Sequence, residues 1–277
     1  MRPRTILVLV TCLTLLLGCG AQTTATVAPP TSAPEPVESG EVIVFAAASL
    51  TESFTEIAEL FESQHPGVKV VLNFAGSQAL STQLGEGAPA DVFASANKKE
   101  MDNAIAAGRV TEGSQQTFAR NKLVVIFPVD NPAGLDELAD LATPGLKLVL
   151  AAQEVPVGKY SLEFLDKATQ DASFGAMFKD DVLGNVVSYE DNVKSVLTKV
   201  VLGEGDAGIV YLTDITLDAA GKVGQLEIPD SLNTIAAYPI APVSDATQPD
   251  LAQAFVELVL SAQGQEILNK FGFTSPE

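Results

Sequence analysis

Hydrophobic positions along this chain change their rhythm repeatedly. Residues 42 to 45 (VIVF) form an apolar, β-branched and aromatic run that suits a buried strand and is too short for a helix. After three alanines, Leu50, Phe54, Ile57, Ala58 and Phe61 recur at the spacing of one helix face, with Glu52, Glu56, Glu59 and Glu62 on the other. The change falls at Ser49, and Ser49 with Glu52 spells S-x-x-E, the capping box of a helix start. A helix start also offers unpaired N–H groups and the positive end of a dipole, which accommodate an anion. Cap and ligand are both open readings of Ser49.

The strand-to-helix handover recurs. Residues 68 to 74 (VKVVLNF) read as a strand ending at AGSQALSTQL, where Ser77 stands at the junction and Leu80 occupies the place a capping box would fill with Glu or Gln. A short strand near 91 to 94 leads to a helix over 98 to 107 closed by Gly108. Residues 123 to 128 (LVVIFP) and 146 to 151 (LKLVLA) read as strands. The second reaches VPVGKY, where Pro156 and Gly158 precede a helix with Leu162, Leu165 and Ala168 on its apolar side. Val186 and Val187 begin a strand before a helix with Val196, Leu197 and Val200 inward, capped by Ser188 or Asp191, with Val193 in its first turn. DAGIVY is an apolar strand ending in Tyr211, AYPIAPV follows, and helices over 251 to 260 and 265 to 271 close the chain. Alternating units predict an α/β protein with parallel sheets flanked by helices. Ligands of such sheets sit at the carboxyl ends of strands, where Ser49, Ser77, Val157, Val193 and Tyr211 all fall.

The first forty residues have another composition. Arg2 and Arg4 precede an apolar stretch over 6 to 17, too short to span a bilayer and laid out as a secretory signal. LLGC, ending at Cys19, resembles the bacterial lipoprotein signal. The expectation is a signal peptide over 1 to 18, a lipidated Cys19 and a flexible Thr-, Pro- and Ala-rich tether over 19 to 40. Such a protein is exported and held at the outer face of the cell membrane or in the periplasm.

Cys12 and Cys19 are the only cysteines, so the chain from Glu41 onward has no disulfide and no thiolate metal site. The net charge of −19 arises wholly in that part and repels nucleic acid. His65 is the only histidine and lies in QHPG, where the first helix should end. A serine hydrolase using Ser49 or Ser77 would need it, yet His65 is about 24 Å along the helix from Ser49 at ~1.5 Å per residue. No HExxH, phosphate-loop, CxxC or EF-hand pattern occurs. Ferric capture is disfavoured by having only Tyr160, Tyr189, Tyr211 and Tyr238 with that histidine.

FAAASLTESF, GAPADVFASAN, VPVGKY, YEDNV and AGIVY, in that order and at these separations, resemble the periplasmic molybdate-binding proteins of ATP-binding-cassette importers. QGQEILNKFGF is similar to the broader type II binding-protein superfamily, and the resemblance covers about residues 41 to 275. It implies a two-lobed type II periplasmic binding protein fold, each lobe a mostly parallel sheet flanked by helices, closing over one oxyanion. Lobe one would hold residues 41 to 124 and 239 to 277, lobe two residues 125 to 238. The implied ligand positions are Ser49 and Ser77 through hydroxyl and backbone N–H, Val157 and Val193 through backbone N–H, and Tyr211 through its hydroxyl. Family members commonly carry alanine where Val157 stands, which bears on cavity shape. The resemblance further implies molybdate or tungstate as ligand with no direct metal ligands and no other cofactor. It implies a membrane permease as partner, a monomer, and no catalysis. Sulfate, phosphate or another tetrahedral oxyanion remains an alternative ligand, and a sensing or adhesive surface protein with the same cleft an alternative role.

Overall fold

A computed structural model describes residues 39–276. The expected signal peptide, Cys19 and nearly all of the expected tether lie outside the described residues. Ten strands form two five-stranded sheets: β1 (Gly40–Ala47), β2 (Val68–Ala75), β3 (Val92–Ala94), β4 (Gln116–Asn121), β5 (Leu123–Pro128), β6 (Leu148–Ala151), β7 (Val186–Glu190), β8 (Ala207–Tyr211), β9 (Val223–Glu227) and β10 (Ala236–Pro242). The helices are α1 (Thr51–Gln64), α2 (Ser77–Gly85), α3 (Lys98–Ala106), α4 (Pro156–Gln170), α5 (Phe178–Gly184), α6 (Val193–Val201), α7 (Leu217–Ala220), α8 (Pro249–Leu260) and α9 (Ala262–Lys270). None of them is long and apolar enough to cross a membrane.

The first sheet has the order β2-β1-β3-β10-β4 and the second β7-β6-β8-β5-β9. In each, four strands run one way and one runs against them, β10 in the first and β5 in the second. Mostly parallel sheets were the sequence expectation, and this is the architecture found. The chain leaves the first sheet after Asn121 and enters the second at Leu123; it returns through residues 228 to 235. Asn233 fastens the two connections together: its amide oxygen accepts from Leu123 N–H at 3.0 Å and its amide nitrogen donates to Leu123 C=O at 2.9 Å.

Periodicity located the elements with large apolar faces. Leu50, in the turn before α1, and Phe54, Ile57, Ala58 and Phe61 on its inner face are all buried, and Phe54 meets Phe118 at 5.6 Å between ring centroids and Phe61 meets Phe255 at 5.4 Å. On α4 the buried face is Ser161, Phe164, Leu165 and Ala168, with Leu162 only half-buried, a shift of the expected stripe. The pattern gave no sign of β4 (QTFARN) or β9 (VGQLE). Both are the last strands of their sheets with half-exposed side chains, β4 having only an isolated bridge from Arg120 to Thr274 on its outer side, so neither needs a continuous apolar run.

Asp91, within GAPADVFASAN, is fully buried and ties three elements together. One carboxylate oxygen accepts from Ile43 N–H at 2.8 Å; the other accepts from Thr247 N–H at 2.7 Å and Gln248 N–H at 3.3 Å, just ahead of α8. Asp91→Ala strands these donors and should lower unfolding free energy by about 2–4 kcal/mol, at ~1–3 kcal/mol per unmet buried group. Urea denaturation checks this, with a lower midpoint at unchanged slope as the expected result.

Candidate functional site

Parallel pairing decides where the helix starts go. β1 and β2 are in register to their last residues, Ala47 beside Ala75, so the chain turns out of both on the same side. β1 continues through a short 3-10 turn (Ala48–Leu50) into α1, and β2 passes Gly76 into α2, which sets Ser49 and Ser77 next to each other. In the second sheet Ala151 of β6 lies beside Glu190 of β7, and those strands lead into α4 and α6. Parallel β8 ends at Tyr211. Ser49, Ser77, Val157, Val193 and Tyr211 line one cavity of about 10 Å³, closed by small residues including Ala47, Ala48, Gly76 and Ala96. The structure thus brings together all five residues singled out in the sequence, two from segments of the first sheet and three from the second. It does not bring in His65, which caps the far end of α1 against the ring of Phe61.

Each helix start presents N–H groups that its own helix cannot satisfy. Ser77 and Val193 are the first residues of α2 and α6, and Val157 follows Pro156 at the start of α4. Gly158 belongs to this junction because a side chain there would collide with the carbonyls of Ala151 and Ala152. Asn192 caps α6, its amide oxygen accepting from Ser195 N–H at 3.0 Å, in place of the expected Ser188 or Asp191. Ser188 instead donates to Glu190, at the end of β7.

The expected capping box at Ser49 is not formed. The Ser49 hydroxyl lies 2.9 Å from that of Tyr238, drawn across to β10 rather than folded onto its own helix, and the Glu52 carboxylate is held elsewhere. The Ser77 hydroxyl oxygen accepts from Ala96 N–H at 3.0 Å, which leaves its proton free to be given away. Tyr211 is buried with its hydroxyl unpartnered among the described residues. Burial, reinforced by Tyr238, Tyr160 and Asp214, pushes its ionisation far up, so it remains a neutral donor.

Among the described residues, no lysine or arginine lines the cavity. Lys194 sits beside it, but its ammonium contacts both oxygens of Glu52 at 2.8 Å and lies 3.5 Å from Asp214. Glu52 belongs to α1 and Lys194 to α6, so this ion pair joins the two halves, as does the 2.9 Å bond from the Gln78 amide to Asp191 C=O. Glycine at 76 allows that approach, since a Cβ there would strike the Asp191 carbonyl. Sequence reading missed Lys194, Tyr238 and Gln78; Lys194 and Gln78 act across the interface and Tyr238 reaches Ser49 from a strand far along the chain, where spacing carries no signal.

Asp214 is fully buried, and burial pushes its carboxyl up from 3.8 to about 6 against the opposing pull of Lys194 and of Tyr211 N–H. A raised carboxyl favours the fold below the unfolded value, and that contribution disappears as pH rises through about 6. Asp214→Asn has no carboxyl to titrate there, so the melting temperature of the variant relative to wild type should climb between pH 4 and pH 7, by the equivalent of up to about 3 kcal/mol. Melts across that range check it; a flat difference contradicts it.

From residue 42 to residue 274 the chain matches the family described as bacterial extracellular solute-binding protein. It is 38% identical over 263 residues to the molybdate-binding protein ModA of Mycobacterium tuberculosis (strain ATCC 25618 / H37Rv), covering 94% of this chain and 93% of that one. Its structure is similar to the periplasmic molybdate-binding protein of Azotobacter vinelandii, with a TM-score of 0.72 at 21% identity over 85% of this chain and 100% of that one. It is also similar to the sulfate-binding protein SubI of Mycobacterium tuberculosis H37Rv, with a TM-score of 0.75 at 20% identity over 85% of this chain and 86% of that one. At these identities the two structural likenesses concern the fold.

Proposed function

The chain belongs to the bacterial extracellular solute-binding proteins, and on that premise we propose that it captures molybdate or tungstate between its two sheets and hands it to the membrane permease of an ATP-binding-cassette importer. The observation that carries the reading is the buried, unpartnered Tyr211 hydroxyl in a cavity wall built from helix starts and two serines. Such a wall has donors to give and no cation to balance, which fits a compact oxyanion whose oxygens all accept. The mycobacterial relative named for molybdate supports the choice of anion. The cavity as it stands is about the size of one water, so a five-atom tetrahedral guest moves its lining outward.

The energy is adequate. A hydrogen bond to a charged group contributes about 1.5–3 kcal/mol, and micromolar binding requires about 8 kcal/mol. Four donors would barely reach that, whereas about seven, divided between the halves, reach it and favour the closed arrangement over an open one, which gives a permease a shape to read. In this reading the protein catalyses nothing, uses no cofactor beyond its cargo, acts as a monomer, and is held at the membrane by acyl chains on Cys19. Sulfate is the second reading, favoured by the same donor-only wall and by the fold it shares with a sulfate-binding protein.

A thermal melt of the domain from Glu41 onward against molybdate, tungstate, sulfate and phosphate tests the reading, since a ligand at a hundred times its dissociation constant adds about 2.7 kcal/mol. Molybdate and tungstate should raise the midpoint most and sulfate little; equal shifts for these three remove the specificity. Ser49→Ala with Ser77→Ala should abolish the response, and a surviving response would place the site elsewhere.

A further inference from the structure

We propose that Asn121 and Tyr238 form a relay that sets the direction of the Ser49 hydroxyl, making it a donor toward the cavity and thereby excluding oxyanions that carry a proton. This rests on the anion-capture reading above and assigns its selectivity to residues outside the cavity wall.

The relay starts from an amide whose orientation the network fixes. The Asn121 side-chain oxygen accepts from Lys122 N–H at 3.0 Å, so the nitrogen is the end that faces Thr213 Oγ1 at 2.7 Å and the Tyr238 hydroxyl at 3.4 Å. An amide nitrogen only donates. The Tyr238 hydroxyl oxygen therefore accepts from Asn121, and in the relay its own single proton goes to Ser49 Oγ, 2.9 Å away. Ser49, already accepting, turns its proton the other way, into the cavity it lines. Ser77 is set in the same sense by Ala96 N–H.

Tyr238 has little freedom to do otherwise. It is fully buried, with its ring at 5.8 Å from Tyr211, 6.2 Å from Phe118 and 5.4 Å from Phe273. The register of β10 against β4 shifts between Tyr238 and Pro239, a bulge that accommodates a proline lacking N–H in an interior strand and sets the direction of the tyrosine. Asn121 ends β4 where the chain crosses between sheets, and Thr213 follows β8 of the second sheet. The Asn121–Thr213 bond that holds the head of the relay therefore spans the connection between the halves.

The consequence is chemical. With both serine hydroxyls directed inward as donors beside N–H groups, a guest proton meets no acceptor among them, and the Tyr211 hydroxyl is left as the one group that can turn to accept it. Molybdate, tungstate and sulfate carry none at neutral pH, whereas inorganic phosphate carries at least one and would bury it facing other hydrogens everywhere but at Tyr211.

Titration calorimetry with molybdate and inorganic phosphate at neutral pH tests this on wild type and Tyr238→Phe, which keeps the ring and removes the relay hydroxyl. Free to rotate, Ser49 can then accept. Molybdate should weaken by roughly three- to tenfold, and the molybdate-to-phosphate affinity ratio should fall by about tenfold, the worth of one such bond. Asn121→Asp, whose carboxylate accepts from Tyr238 and reverses the relay, should lower the ratio in the same direction and serves if Tyr238→Phe yields no folded protein. A ratio within twofold of wild type overturns the relay, even where molybdate affinity drops, because a merely structural role weakens both anions alike. Wild-type protein that binds none of molybdate, tungstate or sulfate overturns the anion-capture reading instead.

Discussion

Everything in the site follows from the parallel pairing of neighbouring strands that hand over to helices at the same end. Parallel register puts the last residues of β1 and β2 side by side, and likewise those of β6 and β7. The helix starts are then adjacent without any special turn, and their unpaired N–H groups become a shared resource. The one antiparallel strand in each sheet has a different task. β10 supplies Tyr238 behind Ser49, and β5 carries the chain away from the crossing at Lys122.

A donor-rich cavity is a liability for an isolated half, since each half holds only some of the groups a guest would satisfy. The contacts between halves lie around the cavity rather than in it: Glu52 with Lys194, Gln78 with the carbonyl of Asp191, and the tyrosine pair Tyr211 and Tyr238. Lys194 illustrates the division. It lies one residue past Val193, yet its charge is held by Glu52 and Asp214, so the wall itself stays neutral. A neutral wall leaves no unpaired cation behind when the site is empty.

The acidic exterior is compatible with an anionic guest. Exposed charges are screened beyond roughly 8 Å at physiological salt, while amide and hydroxyl hydrogens act at contact distance in a site that water barely enters. The net charge of −19 bears on solubility and on encounters with other macromolecules, and the short-range donors govern what is held.

By itself the sequence determined the alternation of strands and helices, the burial of Phe54, Ile57 and Phe61 on α1, and the placement of five residues just beyond strand ends. Those features depend on periods of two and 3.6 residues and on local handovers, which one chain segment expresses without its partners. The edge strands β4 and β9 escaped because an edge needs no apolar run. The reading of Ser49 as a helix cap failed because its hydroxyl is claimed by Tyr238, 189 residues away. Tertiary structure alone decided that pairing, the cap at Asn192 and the ion pair at Lys194. Hydrogen bonds and ion pairs across an interface form by proximity in space, and the spacing of residues along a chain carries no record of them.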